Sequence, residues 1–79
     1  MKRPQVIVRR GDRFEVDQSR LYPHLRRQED MVRTSLHMVG LHYKTYPQEY
    51  ESLTPKQQLE KVNDLFYTLL KNWGIYKGK

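Results

Sequence analysis

Hydrophobic positions fall into two regimes along this chain. Near the N-terminus, Val6-Ile7-Val8 and Phe14-Glu15-Val16 are short runs rich in β-branched and aromatic residues, separated by Arg9-Arg10-Gly11-Asp12-Arg13. Two such runs around a Gly-Asp pair predict a β-hairpin over about residues 5–17. Glycine reaches positive φ without a Cβ clash, and aspartate can bond its own backbone in a turn.

From Leu25 onward the spacing becomes helical. Leu25, Val32, Leu36, Val39, Tyr43 and Tyr46 recur at intervals of three, four and seven, and Met31 and Met38 widen the stripe. Asp17-Gln18-Ser19 supply capping candidates, and Pro23 suits a first helical turn, where its missing N–H costs nothing. Pro47 ends the run, because the residue before a proline avoids the helical region. A first helix over about 21–45 follows, with Gly40 inside it marking either close packing or a bend.

The second helix is announced more clearly. Thr54 can cap, Pro55 fills the first position, and Gln57 completes a capping box. Leu59, Val62, Phe66, Leu69 and Trp73 form its stripe, supported by Leu65 and Leu70. Gly74 supplies a left-handed stop, and Ile75 folds back on the last turn. This predicts a helix over about 55–73.

The fold class expected is therefore α+β: an N-terminal β-hairpin followed by an antiparallel two-helix hairpin, in one small domain spanning residues 1–79. The two stripes need each other, and Ile7, Phe14 and Val16 cover part of what they leave open. A second copy would cover more, so a homodimer is among the expected states.

Composition narrows the possibilities. A chain of 79 residues is near the lower limit for a self-sufficient core, burying roughly 60% of its unfolded surface. It has no cysteine, so neither disulfides nor thiolate metal sites can staple it. No apolar run approaches the roughly 20 residues that span a bilayer, and Val6-Ile7-Val8 is too short for a signal-peptide core. The expectation is a cytoplasmic protein that does not engage membrane.

Charge changes the picture more. The formal net charge is +6, and every arginine lies at or before Arg33, whereas the basic residues after it are lysines and histidines. A guanidinium forks onto phosphate or carboxylate, while lysine acts as a hydrated point charge. The N-terminal half is the expected interacting half.

Catalytic and metal signatures are weak. His37 and His42 are five apart, which does not place two ligands on one helical face, and no carboxylate has a complementary spacing. Glu29–Arg33 and Arg26–Asp30 read as helix-stabilising pairs rather than acid–base dyads. The glycines are isolated, so there is no phosphate-cradling loop. Arg10-Gly11-Asp12 matches an adhesion tripeptide but reads as the hairpin turn. We expect no metal, no cofactor and no enzyme activity.

The leading expectation is a small basic accessory protein that contacts nucleic acid, DNA or RNA. Lys2, Arg3, Arg9, Arg10, Arg13, Arg20, Arg26 and Arg27 would reach phosphates, and Tyr50 would offer an aromatic contact. Homeodomain, zinc-finger and RNA-recognition signatures are absent. The alternative is a protein-binding adaptor or inhibitor that occupies an acidic surface of a partner protein with the same residues. An oligomeric structural subunit is the third.

Overall fold

A computed structural model of the chain describes residues 4–74. Two antiparallel strands, β1 (Ile7–Arg10) and β2 (Arg13–Val16), form the expected hairpin, with Ile7 opposite Val16 and Arg10 opposite Arg13. Gly11, the first turn residue, has φ +64°, and no other described residue of the turn has positive φ. That combination belongs to a II′ turn, whose twist matches that of the flanking strands. An added Cβ at Gly11 would meet nothing within 4 Å, so only backbone conformation opposes it. Gly11→Ala is expected to destabilise by about 1–2 kcal/mol, measured as a shift in the urea midpoint, and an unchanged midpoint would rule out the strained φ.

After the hairpin the chain departs from the expected continuous helix. A single 3-10 turn at Gln18–Arg20 is capped by Asp17, whose carboxylate accepts from the Ser19 amide and from the Ser19 hydroxyl at 2.6 Å. The hydroxyl bond holds the Asp17 carboxyl below its ordinary value, against a smaller opposing effect of burial. Then follow α1 (Pro23–Arg26), beginning at proline as expected, and α2 (Glu29–Thr45). Between them Gln28 takes φ −102° and ψ 50°, outside the helical region. This corrects the helix of about 21–45 into two helices. The break leaves Glu29 and Asp30 in the first turn of α2, where the positive end of the helix dipole favours carboxylates. Arg26 therefore does not pair along a helix with Asp30; its Nε donates to the Leu21 carbonyl at 3.3 Å. The Glu29–Arg33 pair does form, at 3.6 Å.

A second 3-10 turn, Pro47–Glu49, leads to α3 (Pro55–Asn72), which returns along α2. The capping box is present in full: the Gln57 amide donates to Thr54 Oγ1 at 3.2 Å, and the Thr54 amide donates to Gln57 Oε1 at 3.0 Å. Gly74 has φ +80°, as a left-handed stop requires; Ile75 lies outside the described residues.

The core contains Val6, Ile7, Leu21, Leu25, Val32, Val39, Tyr50, Val62, Phe66, Tyr67 and Leu70, with Phe14, Val16, Leu36, Tyr43, Leu59 and Leu69 half-buried against it. The buried face of α3 is rotated from the expected stripe. Asn63 and Tyr67 face inward, whereas Trp73 is exposed. The cause is β1, which packs on α3 and presents backbone donors there. Asn63 Oδ1 accepts from the amides of Val6 and Ile7 at 3.0 and 3.2 Å, and its Nδ2 donates to the Pro4 carbonyl at 3.2 Å.

Ser35 is fully buried on α2, and its hydroxyl has no hydrogen-bond partner. Its removal relieves an unsatisfied group and improves helix propensity. Ser35→Ala is expected to stabilise by about 0.5–1.5 kcal/mol by those two effects. Denaturant titration checks this, and destabilisation would mean that the hydroxyl is bonded in solution.

Candidate functional site

The arginines expected to act together are divided by the fold. Arg9 lies along the packed face of the hairpin, its guanidinium 5.5 Å from the ring centres of both Phe14 and Tyr43. Its Nε donates to the Gly11 carbonyl at 3.2 Å and its Nη1 to Gln58 Oε1 at 3.3 Å. Arg10 pairs with Glu15 at 2.7 Å, and Arg20 with Asp17 at 3.6 Å. Such exposed pairs are worth little, yet they compete with any phosphate for the same guanidinium. Arg26 and Arg27 are exposed around the end of α1, beyond the far end of β2 from the turn. Lys2 and Arg3 lie outside the described residues.

Tyr50 requires correction as a surface contact. It is 1% exposed, held in the core by the 3-10 turn that precedes it. Its hydroxyl is 2.7 Å from His42 Nδ1, its ring meets Tyr43 edge-on at 4.9 Å, and Gln58 Nε2 donates to its carbonyl at 2.9 Å. It holds the connection down and offers no face to a partner. Burial raises its phenol above the ordinary value, and the neighbouring Glu49 charge adds to the effect. The folded state thus favours the neutral phenol. The resulting stability is fully present below a pH of about 10 and is lost as pH rises past it. Alkaline unfolding is expected to set in less steeply for Tyr50→Phe than for the wild type, and identical pH profiles would exclude Tyr50 as the cause.

A different set of residues does converge. Between β2 and the outward flank of α2 runs an open groove in two continuous parts. The part nearest the hairpin turn, about 450 Å³, is bounded by Asp12, Arg13 and Phe14 on one side and by Arg33, His37, Gly40, Leu41 and Lys44 on the other. The second part, about 290 Å³, continues past Glu15, Val16 and Gln18 towards Arg26, Glu29 and Val32. Arg33 and Leu36 belong to both.

The helix side of the groove follows from periodicity. Arg33, Leu36, His37, Gly40, Leu41 and Lys44 recur at three and four along α2, one flank away from the buried line of Val32, Ser35 and Val39. Leu41 is 50% exposed, the most open of the large hydrophobic side chains described. An added Cβ at Gly40 would meet nothing within 4 Å, so the glycine does not serve close packing, and α2 runs unbroken through it. It leaves the floor of the groove low.

Near the turn, Arg13, Arg33 and Lys44, with His37, face the single carboxylate of Asp12. The carboxylates of the second part are engaged, Glu15 by Arg10 and Glu29 by Arg33. The groove is thus cationic at its wider end, with an apolar floor. Sequence reasoning named Arg13 and Arg26 but missed Arg33, His37, Leu41 and Lys44. The available signal was a second three-and-four stripe beside the core stripe, mixing Leu41 and Gly40 with cations.

Among the described residues no group of histidine or acidic side chains is arranged to hold a metal ion, and no helix is long and apolar enough to cross a membrane. No family model matches the chain, and comparison with curated proteins and with solved structures finds no significant similarity.

Proposed function

We propose that this protein is a small, non-catalytic binding protein that holds an acidic segment of a partner protein in the groove between β2 and α2. The observation that carries this reading is the convergence of Arg13, His37 and Lys44 above the floor formed by Leu36, Gly40 and Leu41, with Arg33 beside them shared with Glu29. Apolar floors beside cations suit a chain segment that brings both carboxylates and aliphatic side chains. The cleft is open along its length, which suits an extended chain better than a small molecule that needs most of its surface enclosed.

Nucleic-acid binding is the second reading, favoured by the net charge of +6 and by the exposed Arg13, Arg26 and Arg27. It is weakened because Arg9, Arg10 and Arg20 are occupied within the chain. The two readings separate in one experiment: titration of a labelled octapeptide of alternating glutamate and valine, and of single-stranded oligothymidine, at several salt concentrations. Arg13→Ala combined with Lys44→Ala is expected to weaken the peptide about tenfold, as loss of two contacts of about 0.7 kcal/mol each would do. Arg27→Ala, outside the groove lining, should change peptide binding less than about twofold on the same reasoning. Tighter binding of oligothymidine than of peptide, with a salt slope that flattens on losing Arg26 and Arg27, would transfer the function to nucleic acid.

A further inference from the structure

The outer edge of β1 is partly closed by the chain's own bonds, and that of β2 is not. The Asp17 amide donates to the Val6 carbonyl at 2.7 Å, which fixes the parity of the ladder. In that parity Val8 with Glu15, and Arg10 with Arg13, are the bonded pairs, while Ile7, Arg9, Phe14 and Val16 direct their backbone groups outward. On β1 the groups of Ile7 are engaged, its amide donating to Asn63 Oδ1 and its carbonyl accepting from Gln5 Nε2 at 3.0 Å, while no side chain among the described residues bonds the outward backbone of Arg9. On β2 no side chain among the described residues bonds the outward backbone of Phe14 or Val16. Phe14 lines the wider part of the groove and Val16 the narrower.

We infer that the groove takes its ligand by strand addition: an acidic, extended segment of a partner protein pairs with the outward backbone of Phe14 and Val16 and becomes a third strand. This rests on the groove-binding reading above and specifies how the segment is held. A third strand lies about 4.8 Å from β2, above the outer flank of α2. Alternate side chains then point down to Leu36, Gly40 and Leu41, and carboxylates come within reach of Arg13 and Lys44.

A second copy of this chain is a poorer occupant. Paired strands are about 4.8 Å apart, whereas packed helices need about 8–10 Å. Two hairpins joined through β2 would force the two α2 helices into the same space, and each copy would bring a charge of +6. A lone acidic strand has neither difficulty.

The test is a titration of the glutamate–valine octapeptide and of its fully N-methylated form, which keeps the carboxylates and loses every backbone donor. The wild type is expected to bind the unmodified peptide at least about fivefold more tightly. Two variants probe the protein side. Val16→Pro deletes an outward donor without touching the ladder, since proline is tolerated where a strand's N–H faces solvent. Gly40→Leu fills the floor. Both are expected to weaken the unmodified peptide at least about fivefold, with folding checked by circular dichroism; if Val16→Pro unfolds, the methylated peptide on wild-type protein decides. Equal binding of both peptides would overturn strand addition and leave the groove reading standing. Binding of neither peptide at millimolar concentration would overturn both. A dimer of the free protein that the peptide dissociates would show that a second copy is the natural occupant of this edge, and would overturn the assignment to a partner protein.

Discussion

Phe66→Ala is expected to remove about 3–5 kcal/mol of folding stability. Phe66 is fully buried at the middle of α3 and meets Tyr67 edge-on, with ring centres 5.8 Å apart. Its removal leaves a cavity where helices and hairpin share one core, and the small domain has little other packing with which to collapse into it. Domains of this length hold roughly 4–12 kcal/mol in total, at about 0.05–0.15 kcal/mol per residue. The variant is therefore expected to melt near or below room temperature. A urea midpoint within experimental error of the wild type would show that Phe66 is not where the helices meet.

Asn63→Leu is expected to cost nearly as much, although it makes the site more hydrophobic. The amides of Val6 and Ile7 both donate to Asn63 Oδ1, and both residues are fully buried. Leucine fills a similar volume and accepts no hydrogen bond. Each buried amide left without a partner costs about 1–3 kcal/mol, so about 2–6 kcal/mol is expected together. Hydrogen exchange at Val6 and Ile7 should accelerate in step with the stability loss. Slow exchange at both amides would mean that another acceptor replaces Asn63.

These two residues show what the sequence reveals and what it hides. Phe66 is legible because its burial follows from the three-and-four period of α3. The hairpin, the Gly11 turn, the Thr54–Gln57 capping box and the Gly74 stop are legible for a similar reason, since each is decided by residues within one turn of one another. Asn63 is hidden because its partners stand more than fifty positions earlier in the chain, so a polar residue inside an apolar stripe looks like its solvent side. The break at Arg27–Gln28 is hidden because neither glycine nor proline marks it. Its one trace is the order of charges, arginines before the gap and carboxylates after it.

Tyr50 illustrates the converse difficulty. Lying beyond Pro47, it has no helical phase, and a tyrosine between two glutamates reads as a surface residue. Its burial depends on His42, one segment earlier, and on Gln58, one segment later. Gln58 itself joins Arg9, Tyr43 and the carbonyls of Tyr50 and Leu53 into one network, which no local pattern announces. The groove depends on the fold in the same way. Arginine clustering along the sequence drew attention to Arg9, Arg10 and Arg20, which the folded chain occupies internally. Lys44 and Arg33 become neighbours of Arg13 only once β2 lies against α2.

The groove itself is tested most directly by mapping amide chemical-shift changes as the glutamate–valine octapeptide is titrated into the isotope-labelled protein. Saturable shifts are predicted at Phe14, Val16, Leu36, Gly40 and Leu41, with Arg20 and Arg27 little moved. Shifts centred on Arg20 and Arg27, with the β2 and α2 amides unchanged, would contradict the account and place binding outside the groove.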